Sequence, residues 1–296
     1  MDVKKFSGVY PAVITPFDAD GEVDVAKLEN YINYLSDKVD GLFVGGSYGS
    51  GPIMTVAQRK TLAEVTVKTC AGRIPVIMHI GTTNLTDTIE LAQHAEKVGA
   101  DALAAVTPFY YRHTPNVIKQ YYVDLIKNVD LPVIAYNNPK YSNFCISGDF
   151  LAELADVGLE GVKDSSADIS LFYDFMAKVK KEGFLFLIGS QTHLLPAVVG
   201  GAHGCVSGLS NAFPGFIKEI YTKCKEGKFA EARDMQLKAN LLRSVTGSGI
   251  PVPFYHAVLP MHGVDIGMPR RPFLPLPPEE VERIRKALTE TQMLIG

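Results

Sequence analysis

The segment between residues 74 and 109 reads IPVIMHIG (74–81), then TDTIELAQHAEKVG (86–99), then DALAAVTPF (101–109). The first and last of these stretches are short and almost wholly apolar, which is typical of strands that are buried on both faces. The middle stretch repeats apolar residues at intervals of three and four with charges between them, the pattern of an amphipathic helix. A strand, a covering helix and a second strand form the repeating unit of a parallel sheet.

The same alternation recurs along the whole chain. Eight apolar runs are candidate strands: YPAVITPF (10–17), GLFVGGS (41–47), IPVIMHIG (74–81), DALAAVTPF (101–109), LPVIAYN (131–137), LEGVKDS (159–165), FLFLIGS (184–190) and HGCVSGLS (203–210). Eight strand–helix units predict an α/β protein that folds as a closed (β/α)8 TIM barrel. The alternative is a doubly wound open sheet. That fold would require a GxGxxG turn after the first strand, and the sequence there, ITPFDADGEV, does not contain one.

The length and composition favour one large domain. The chain has 296 residues, of which 47% are hydrophobic, and this is enough to bury a full core. After the eighth run, helical patterns continue beyond the single helix that would close a barrel. We therefore expect residues 1–213 to form the barrel core and residues 214–296 to form a C-terminal helical appendage that completes the same domain.

The distribution of charge excludes some classes of partner. The formal net charge is −3, and the lysines and arginines are dispersed, so no basic field is available for nucleic acid or an anionic membrane surface. No apolar run approaches the roughly 18 residues that cross a bilayer. Pro11 and Pro16 interrupt the apolar stretch near the N-terminus, which argues against a signal peptide. We expect a small-molecule substrate as the partner.

The four cysteines, Cys70, Cys145, Cys205 and Cys224, are far apart in the sequence. They form no CxxC pair and have no histidine at ligand spacing, so neither a disulfide framework nor a zinc site is predicted. His79 lies near the end of the third run, and a lone histidine at this position more often makes hydrogen bonds at the barrel mouth than binds a metal. We expect no metal, no cofactor and a cytoplasmic location.

The residue Lys163 is the strongest candidate for chemistry. Reactive groups of a (β/α)8 barrel lie at the carboxyl ends of its strands, and Lys163 ends the sixth run, in GVKDSS (161–166). Burial favours a neutral amine, which attacks ketones and forms a Schiff base; the protonated imine then accepts electrons when a neighbouring C–C bond breaks. The alternative is a lysine that extends to the barrel rim, or pairs with Asp164, and has no catalytic role.

Other strand ends would face the same mouth. Tyr136 ends the fifth run, and its phenol can carry protons to and from a substrate hydroxyl, although a tyrosine there could also merely fill the barrel end. The turn GGSYGS (45–50) exposes N–H groups around Gly46 and adds the Ser47 hydroxyl, which together suit a small carboxylate. The same position rule selects further candidate substrate-binding residues: Ser165, Gly189, Gln191 and Ser207.

Four motifs occur together: GGSYGSG (45–51), TPFYY (107–111), YNNP (136–139) and GVKDSS (161–166). With these motifs in this order and spacing, the chain resembles the dihydrodipicolinate synthase / N-acetylneuraminate lyase family of pyruvate-dependent aldolases over essentially its whole length. The resemblance implies that Lys163 is the Schiff-base lysine and that Tyr136 relays protons.

The resemblance also implies roles for the glycine-rich turn and for one tyrosine. Ser47 and Tyr48 fall where the family has two hydroxyl residues that hold the pyruvate carboxylate; Ser47 keeps its hydroxyl, whereas Tyr48 replaces a small threonine with a bulky phenol. Tyr110 matches a tyrosine that family members insert across a subunit interface. This match implies a catalytic role for Tyr110 and a homotetramer built from tight dimers.

Departures from the family pattern bear on the substrate. Dihydrodipicolinate synthases carry an arginine at the position of Tyr141, and sialic acid lyases carry an Asp-Glu pair where this chain reads GSQTH (189–193). The loops GSYGSGPIM, GSQT and VDIGMPRRPFLPLPPEE are similar to those of 2-keto-3-deoxy sugar acid aldolases.

The sequence therefore favours a lyase that cleaves a 2-keto-3-deoxy sugar acid, or a related 4-hydroxy-2-oxo acid, to pyruvate and an aldehyde. Dihydrodipicolinate synthase or N-acetylneuraminate lyase activity is the alternative enzyme function. A barrel that binds pyruvate or a sugar acid without turnover is the non-enzyme alternative.

Overall fold

The computed structural model describes residues 1–247 and 251–294 of the chain. The strands in these residues are β1 (Gly8–Pro11), β2 (Leu42–Val44), β3 (Val76–His79), β4 (Ala102–Val106), β5 (Val133–Asn137), β6 (Gly161–Asp164), β7 (Leu185–Ile188) and β8 (Gly204–Ser207). They form one parallel sheet in the order β1-β8-β7-β6-β5-β4-β3-β2. The predicted (β/α)8 barrel is confirmed.

Helices alternate with the strands and cover the outside of the sheet. Within the described ranges they are α1 (Val25–Ser36), α2 (Val56–Cys70), α3 (Leu85–Val98), α4 (Pro115–Ile126), α5 (Pro139–Ser142), α6 (Gly148–Asp156), α7 (Ile169–Lys178), α8 (Leu194–Val199), α9 (Pro214–Lys225), α10 (Phe229–Val245), α11 (Val252–Val258) and α12 (Pro278–Glu290). Short 3₁₀ helices lie at Gly51–Ile53, Gln191–His193, Leu209–Asn211 and Leu259–His262. Of the helices in residues 1–247 and 251–294, none is long and apolar enough to cross a membrane.

Seven of the eight apolar runs contain the strand that they predict, and the first run is misplaced. β1 ends at Pro11, near the start of the run 10–17, because the backbone after Pro11 passes from hydrogen bonds with β8 to hydrogen bonds with β2. The N–H of Ala12 donates to Ser207 O at 3.0 Å, and the N–H of Val13 donates to Phe43 O at 2.9 Å. These two bonds join β8 to β2 and close the barrel.

Side chains alternate between the two faces of every strand. One set fills the inside of the barrel: Tyr10, Ala12, Phe43, Ile77, Ala102, Ala104, Val106, Ile134, Tyr136, Leu185, Leu187 and Val206. The other set packs against the helices, for example Met78, Leu103 and Val162. Lys163 lies one residue beyond Val162, and the alternation therefore directs its side chain into the barrel.

Local sequence signals set the start of the helix that follows the glycine-rich turn. Thr55 Oγ1 accepts from the N–H of Gln58 at 3.2 Å, and Gln58 Oε1 accepts from the N–H of Thr55 at 3.0 Å. This reciprocal capping box satisfies two N–H groups that the first turn of α2 leaves unpaired. The turn at residues 45–51 is thereby followed, after the short 3₁₀ helix at Gly51–Ile53, by a helix with a capped N-terminus.

The segment after β8 includes the last barrel helix and further helices. By position, α9 is the eighth helix of the barrel, and α10 packs against α9, α8 and the 3₁₀ helix at Gln191–His193. Gln236 of α10 donates through Nε2 to Gln191 O at 2.7 Å. α10 therefore lies beside the carboxyl end of β7. The division into a core at residues 1–213 and a helical region at residues 214–296 stays a prediction.

The side chain of Asn211 joins three parts of the barrel and is wholly buried. Its Oδ1 accepts from the N–H of Ile14 at 3.2 Å and from the Tyr31 hydroxyl at 2.7 Å. Its Nδ2 donates to Ala12 O and to Gly208 O, each at 2.9 Å. All the hydrogen-bonding capacity of this amide is used, so it ties the loop after β1 to α1 and to the end of β8.

The change Asn211→Ala removes these four bonds and leaves the buried N–H of Ile14 and the carbonyl of Ala12 without their partner. We expect the free energy of unfolding to fall by about 2–4 kcal/mol, measured by urea denaturation. The control is Asn128→Ala, because Asn128 is exposed and its Nδ2 donates only to Asp124 O, at 2.8 Å. That control should change the stability by less than about 0.5 kcal/mol, and equal effects of the two changes would contradict the role of Asn211.

Candidate active site

A polar chamber of about 150 Å³ opens at the carboxyl ends of the strands. It is bounded by the ends of β5 to β8, by the turn after β2 and by the last turn of α10. Seven of the ten predicted site residues line it: Ser47, Tyr48, Tyr136, Lys163, Ser165, Gly189 and Gln191. Most of the residues selected from strand ends and from the family resemblance therefore lie together at one site.

Lys163 lies on the inner wall of this chamber. The register of β6 places it beside Tyr136 of β5 and Leu187 of β7, and it is 3% exposed. Its Nζ lies 3.7 Å from the centroid of the Phe43 ring and 3.9 Å from that of the Tyr136 ring. In the part of the chain that the structure describes, no carboxylate is paired with this amine.

Burial lowers the pKa of Lys163 from 10.5 to about 7. The cause is the loss of hydration of the ammonium, and a shift of this size corresponds to about 5 kcal/mol. The two aromatic faces attract the ammonium, but such contacts are worth about 0.5–2 kcal/mol. Desolvation is the larger effect, so a substantial fraction of the amine is neutral near pH 7.

The neighbouring carboxylate, Asp164, does not form an ion pair with Lys163. Asp164 faces the other side of β6, where its Oδ1 accepts from Asn137 Nδ2 at 2.7 Å and its Oδ2 accepts from the Ser166 hydroxyl at 2.7 Å. Burial raises the pKa of Asp164, and these donors oppose that effect. The alternative of a Lys163–Asp164 ion pair is excluded by this geometry, because adjacent residues of a strand face opposite sides.

Tyr136 lies next to the amine with its hydroxyl in a polar setting. The hydroxyl accepts from Asn138 Nδ2 at 3.0 Å. Burial raises the pKa of the phenol, while the hydroxyls of Ser165 and Ser47 and the Asn138 amide act in the opposite direction. The phenol is therefore protonated at neutral pH and is surrounded by groups that can share its proton.

The turn GGSYGSG forms the wall opposite Lys163. Gly45 has φ +73°, in the left-handed region that favours glycine, and a side chain on Gly51 would meet Gly45 O. Within the described residues, the backbone N–H groups of Ser47 and Tyr48 donate to no protein acceptor. These two N–H groups and the Ser47 hydroxyl are hydrogen-bond donors of the kind that can bind a carboxylate.

The phenol of Tyr48 packs against the C-terminal region. Its ring centroid lies 5.8 Å from that of Tyr255, at an interplanar angle of 47°. Burial raises the pKa of Tyr48 to about 12, and the charge of Arg243 partly opposes this rise. Tyr48 therefore presents a protonated hydroxyl to the chamber, at a longer reach than a threonine would have.

His79 borders an adjoining apolar cavity of about 180 Å³. Its Nδ1 donates to Gly45 O at 3.1 Å, and its Nε2 accepts from the N–H of Val106 at 3.3 Å. Burial holds the pKa of His79 well below its usual value, and the charges of Arg59 and Lys163 lower it further. The ring is therefore a neutral link between strands. No group of three or more potential metal ligands lies within residues 1–247 and 251–294.

Three predicted site residues do not line the chamber: Gly46, Tyr110 and Ser207. Gly46 shapes the turn, since its carbonyl accepts from the N–H of Gly51 at 3.1 Å. Ser207 faces away because β8 directs Val206 and Gly208 inward instead, and its hydroxyl donates to Gln191 Oε1 at 3.2 Å. Tyr110 has φ +81° and is 78% exposed, so its phenol lies outside the chamber of its own chain.

Several lining residues were not selected from the sequence as members of the site: Asn138, Lys140, Tyr141 and Arg243. Asn138 lies immediately beyond the end of β5, and the two-residue alternation from Tyr136 would have identified it. Arg243 is on α10, in the region predicted to be an appendage. One feature of the sequence could have indicated Arg243. It lies seven residues, or two helical turns, after the buried Gln236, so both residues are on the same side of the helix.

The arrangement suits covalent chemistry on a small 2-oxo acid. The neutral amine of Lys163 can attack a ketone, the turn at Ser47 and Tyr48 can hold the adjacent carboxylate, and Tyr136 can move protons at the reacting carbons. Imine formation and proton transfer need no oxidant or reductant, because neither changes the overall oxidation level of the amine and the 2-oxo acid.

Comparison with known proteins agrees with this chemistry. The model of the dihydrodipicolinate synthetase family matches residues 5–291. A 4-hydroxy-tetrahydrodipicolinate synthase of Exiguobacterium sibiricum is 32% identical over 91% of this chain and 92% of its own length. An N-acetylneuraminate lyase of Clostridium perfringens is 31% identical over 94% and 97%, respectively. A probable 2-dehydro-3-deoxy-D-pentonate aldolase of Escherichia coli, YjhH, is 32% identical over 80% of each chain.

Solved structures share the fold over nearly the full length. The dihydrodipicolinate synthase of Aquifex aeolicus has a TM-score of 0.92 at 29% identity, covering 98% of this chain and 100% of its own. YagE, a prophage protein of Escherichia coli K12 solved in complex with pyruvate, has a TM-score of 0.94 at 26% identity, covering 98% and 99%. The chain belongs to the dihydrodipicolinate synthetase family, whose members are aldolases that act through a Schiff base.

Proposed function

We propose that this enzyme cleaves a 2-keto-3-deoxy sugar acid, or a related 4-hydroxy-2-oxo acid, to pyruvate and an aldehyde. The observation that carries the proposal is the desolvated amine of Lys163, which lies beside the Tyr136 phenol and has its pKa lowered to about 7 by burial. An amine of this kind is nucleophilic at neutral pH.

The reaction begins with the attack of the Lys163 amine on C2 of the substrate. Loss of water gives a protonated imine, while the free N–H groups of Ser47 and Tyr48 hold the C1 carboxylate. Removal of the proton from the C4 hydroxyl breaks the C3–C4 bond, the aldehyde leaves, and the electron pair passes into the imine to give an enamine. A proton then adds at C3, and water hydrolyses the imine to release pyruvate and the free amine.

Tyr136 is the group that we assign to the proton transfers. Its hydroxyl is next to the amine along the paired strands, and Ser47 and Ser165 can pass protons between it and the chamber. A protonated phenol donates to the hydroxyl that leaves during imine formation and, as phenolate, accepts the proton of the C4 hydroxyl. One group can serve both steps because they use its two protonation states in turn.

The chamber supports a polyhydroxylated substrate. Beyond Lys163 its lining includes the Tyr141 and Ser190 hydroxyls and the Gln191 amide, all of which bond to alcohols. Tyr141 stands where the resemblance expects the synthase arginine, and the loop after β7 lacks the acidic pair of sialic acid lyases. The similarity to YjhH, named as a probable 2-dehydro-3-deoxy-D-pentonate aldolase, agrees with this class of substrate.

We extend the proposal to a homotetramer in which Tyr110 acts across a subunit interface. Tyr110 and Tyr111 are 78% and 70% exposed, and their ring centroids lie 5.0 Å apart, so together they form a protruding aromatic pair. The left-handed backbone at Tyr110 costs free energy that is easier to explain if the projecting phenol has a binding partner. A sedimentation mass equal to one chain would contradict this assembly. The four cysteines are unpaired, which suits the proposed cytoplasmic location.

Chemical trapping of the covalent intermediate tests the role of Lys163. Pyruvate followed by borohydride should attach the three-carbon unit to Lys163, as located by peptide mass mapping. Lys163→Ala should abolish both the adduct and turnover. The control is Lys178→Ala, since Lys178 is exposed and pairs with Asp149 at 2.7 Å; it should leave both unchanged. An adduct on another lysine would contradict the proposed mechanism.

The rate of adduct formation should depend on pH in a defined direction. Burial lowers the pKa of Lys163 to about 7, so the nucleophilic amine is the main form above that pH and not only above the ordinary value. The trapping rate should therefore rise with pH, reach half its maximum near pH 7 and then level off. A half-maximum near the ordinary lysine pKa would contradict the desolvated amine.

A conservative substitution separates proton transfer from packing at Tyr136. Tyr136→Phe keeps the ring, which packs against Phe43 and His79, but removes the hydroxyl. We expect kcat for pyruvate release to fall about a hundredfold to ten-thousandfold, with little change in Tm. The matched control is Tyr221→Phe, because the half-buried Tyr221 donates to His203 O at 3.1 Å and does not line the chamber. A loss in kcat of less than about tenfold would assign Tyr136 to binding alone.

The choice of acceptor aldehyde distinguishes this function from that of a synthase. With pyruvate as co-substrate, aspartate semialdehyde should be a poorer acceptor than glyceraldehyde in kcat/KM. Lys140 and Arg243 could pair with the carboxylate of aspartate semialdehyde, but its ammonium would lie beside these two cations in a chamber whose lining includes no carboxylate to bind it. Efficient use of aspartate semialdehyde, above every hydroxylated aldehyde tested, would reverse the ranking and favour the synthase.

A further inference from the structure

The chamber has more positive charge than the catalytic steps use. Three cationic side chains line it, Lys140, Lys163 and Arg243, and its lining includes no aspartate or glutamate. Lys163 forms the imine, and the free N–H groups of the turn at residues 45–51 can hold the carboxylate next to it. Lys140 and Arg243 are therefore left without an assigned partner.

Arg243 is held in place by the helix that carries it. Gln236, two turns earlier on α10, donates through Nε2 to Gln191 O at 2.7 Å and accepts through Oε1 from the N–H of Leu195 at 3.0 Å. These bonds fix the helix against the loop after β7. Arg243 then follows on the same side of the helix and reaches the chamber.

The guanidinium of Arg243 uses only one of its nitrogens on the protein. Nη1 donates to Thr246 Oγ1 and, at 3.4 Å, to Gly247 O. Within the described ranges, Nε and Nη2 donate to no protein acceptor, and no carboxylate forms an ion pair with Arg243 or Lys140. A half-buried guanidinium that is anchored at one end and free at the other is suited to bidentate binding of an oxyanion.

The positions of the cations along the chamber give the direction of the ligand. Lys163 is buried at 3% exposure, whereas Arg243 is half-buried and Lys140 is exposed. A substrate joined to Lys163 through C2 would therefore extend outward, past the Tyr141 and Ser190 hydroxyls, and its last carbons would reach Arg243 and Lys140. The group that meets them is the end that leaves as the aldehyde.

We propose that Arg243, assisted by Lys140, binds an anionic group at the far end of the substrate, which makes the substrate a 2-keto-3-deoxy acid with a second, terminal oxyanion. The proposal rests on the aldolase function stated above and refines its substrate class. The shared chemistry is a terminal oxyanion on a hydroxylated chain, supplied either by a second carboxylate, as in a sugar diacid, or by a phosphate ester. The Tyr141 and Ser190 hydroxyls and the Gln191 amide are the partners of the hydroxyls between the two ends.

The test compares three acceptor aldehydes with pyruvate in the direction of condensation. Glyceraldehyde is neutral, tartronate semialdehyde replaces its terminal CH₂OH with a carboxylate, and glyceraldehyde 3-phosphate carries a phosphate on the same chain. The wild-type enzyme should use at least one of the two anionic aldehydes about tenfold better than glyceraldehyde in kcat/KM, and whichever it prefers identifies the source of the oxyanion. No preference for either anion overturns the proposal.

The variants assign the preference to Arg243. Arg243→Gln should lower kcat/KM for the preferred anionic aldehyde about 10- to 100-fold while changing that for glyceraldehyde less than about threefold. Arg243→Lys should retain part of the preference, because a point charge remains without the fork. The matched control is Arg233→Gln on the same helix, since Arg233 is exposed and pairs with Asp234 at 2.8 Å; it should change neither value. Equal losses for neutral and anionic aldehydes in Arg243→Gln overturn the proposal.

A separate measurement distinguishes failure of this proposal from failure of the aldolase function. Pyruvate trapping by borohydride depends on Lys163 and not on the far end of the chamber, so it should be intact in Arg243→Gln. If trapping occurs in the wild type but the anion preference does not, the terminal-anion site is wrong and the aldolase stands. If trapping fails in the wild type, both the terminal-anion site and the aldolase function are wrong. The wild-type comparison of acceptors does not depend on whether any variant folds.

Discussion

Side chains alternate between the two faces of each of the eight parallel strands, and this constraint determines which residues of the chain can act on a ligand. Tyr136 and Lys163 are paired in register, and both face into the barrel. Asn137 and Asp164, one residue further on each strand, face outward and bond to each other at 2.7 Å. A shift of one residue in either strand would turn its reactive side chain outward and separate the reactive pair.

The same constraint explains why an amine can remain without a partner inside the protein. Interior positions of the barrel are packed with aromatic and aliphatic side chains, so the residue that faces inward at the end of β6 loses its hydration. For Lys163 this loss outweighs the attraction of the two aromatic faces, and the amine is substantially neutral near pH 7. The barrel thus prepares the nucleophile by packing alone, whereas His79 uses the same burial to stay neutral and link the strands.

The C-terminal helices contribute directly to the chamber. Gln236 fixes α10 to the loop after β7, Tyr255 packs against Tyr48, and Arg243 adds a positive charge at the outer end of the chamber. The barrel supplies the common covalent chemistry, and α10 supplies the charge that we propose selects the substrate. A division of labour of this kind allows relatives with the same lysine and tyrosine to act on different aldehydes.

The sequence by itself determined the order of strands and helices, the inward lysine on β6 and the tyrosine on β5, because these depend on local periodicity and on position at a strand end. It also determined the family, through four motifs in fixed order. Only the tertiary structure decided that β1 ends at Pro11, that Ser207 turns away from the chamber, and that Arg243 enters it. Each of these depends on contacts between segments far apart in the chain: Val13 with Phe43, Ser207 with Gln191, and Gln236 with Gln191. Local patterns carry no information about such contacts, since the partner that fixes each residue lies at least 16 positions away, as Gln191 does from Ser207.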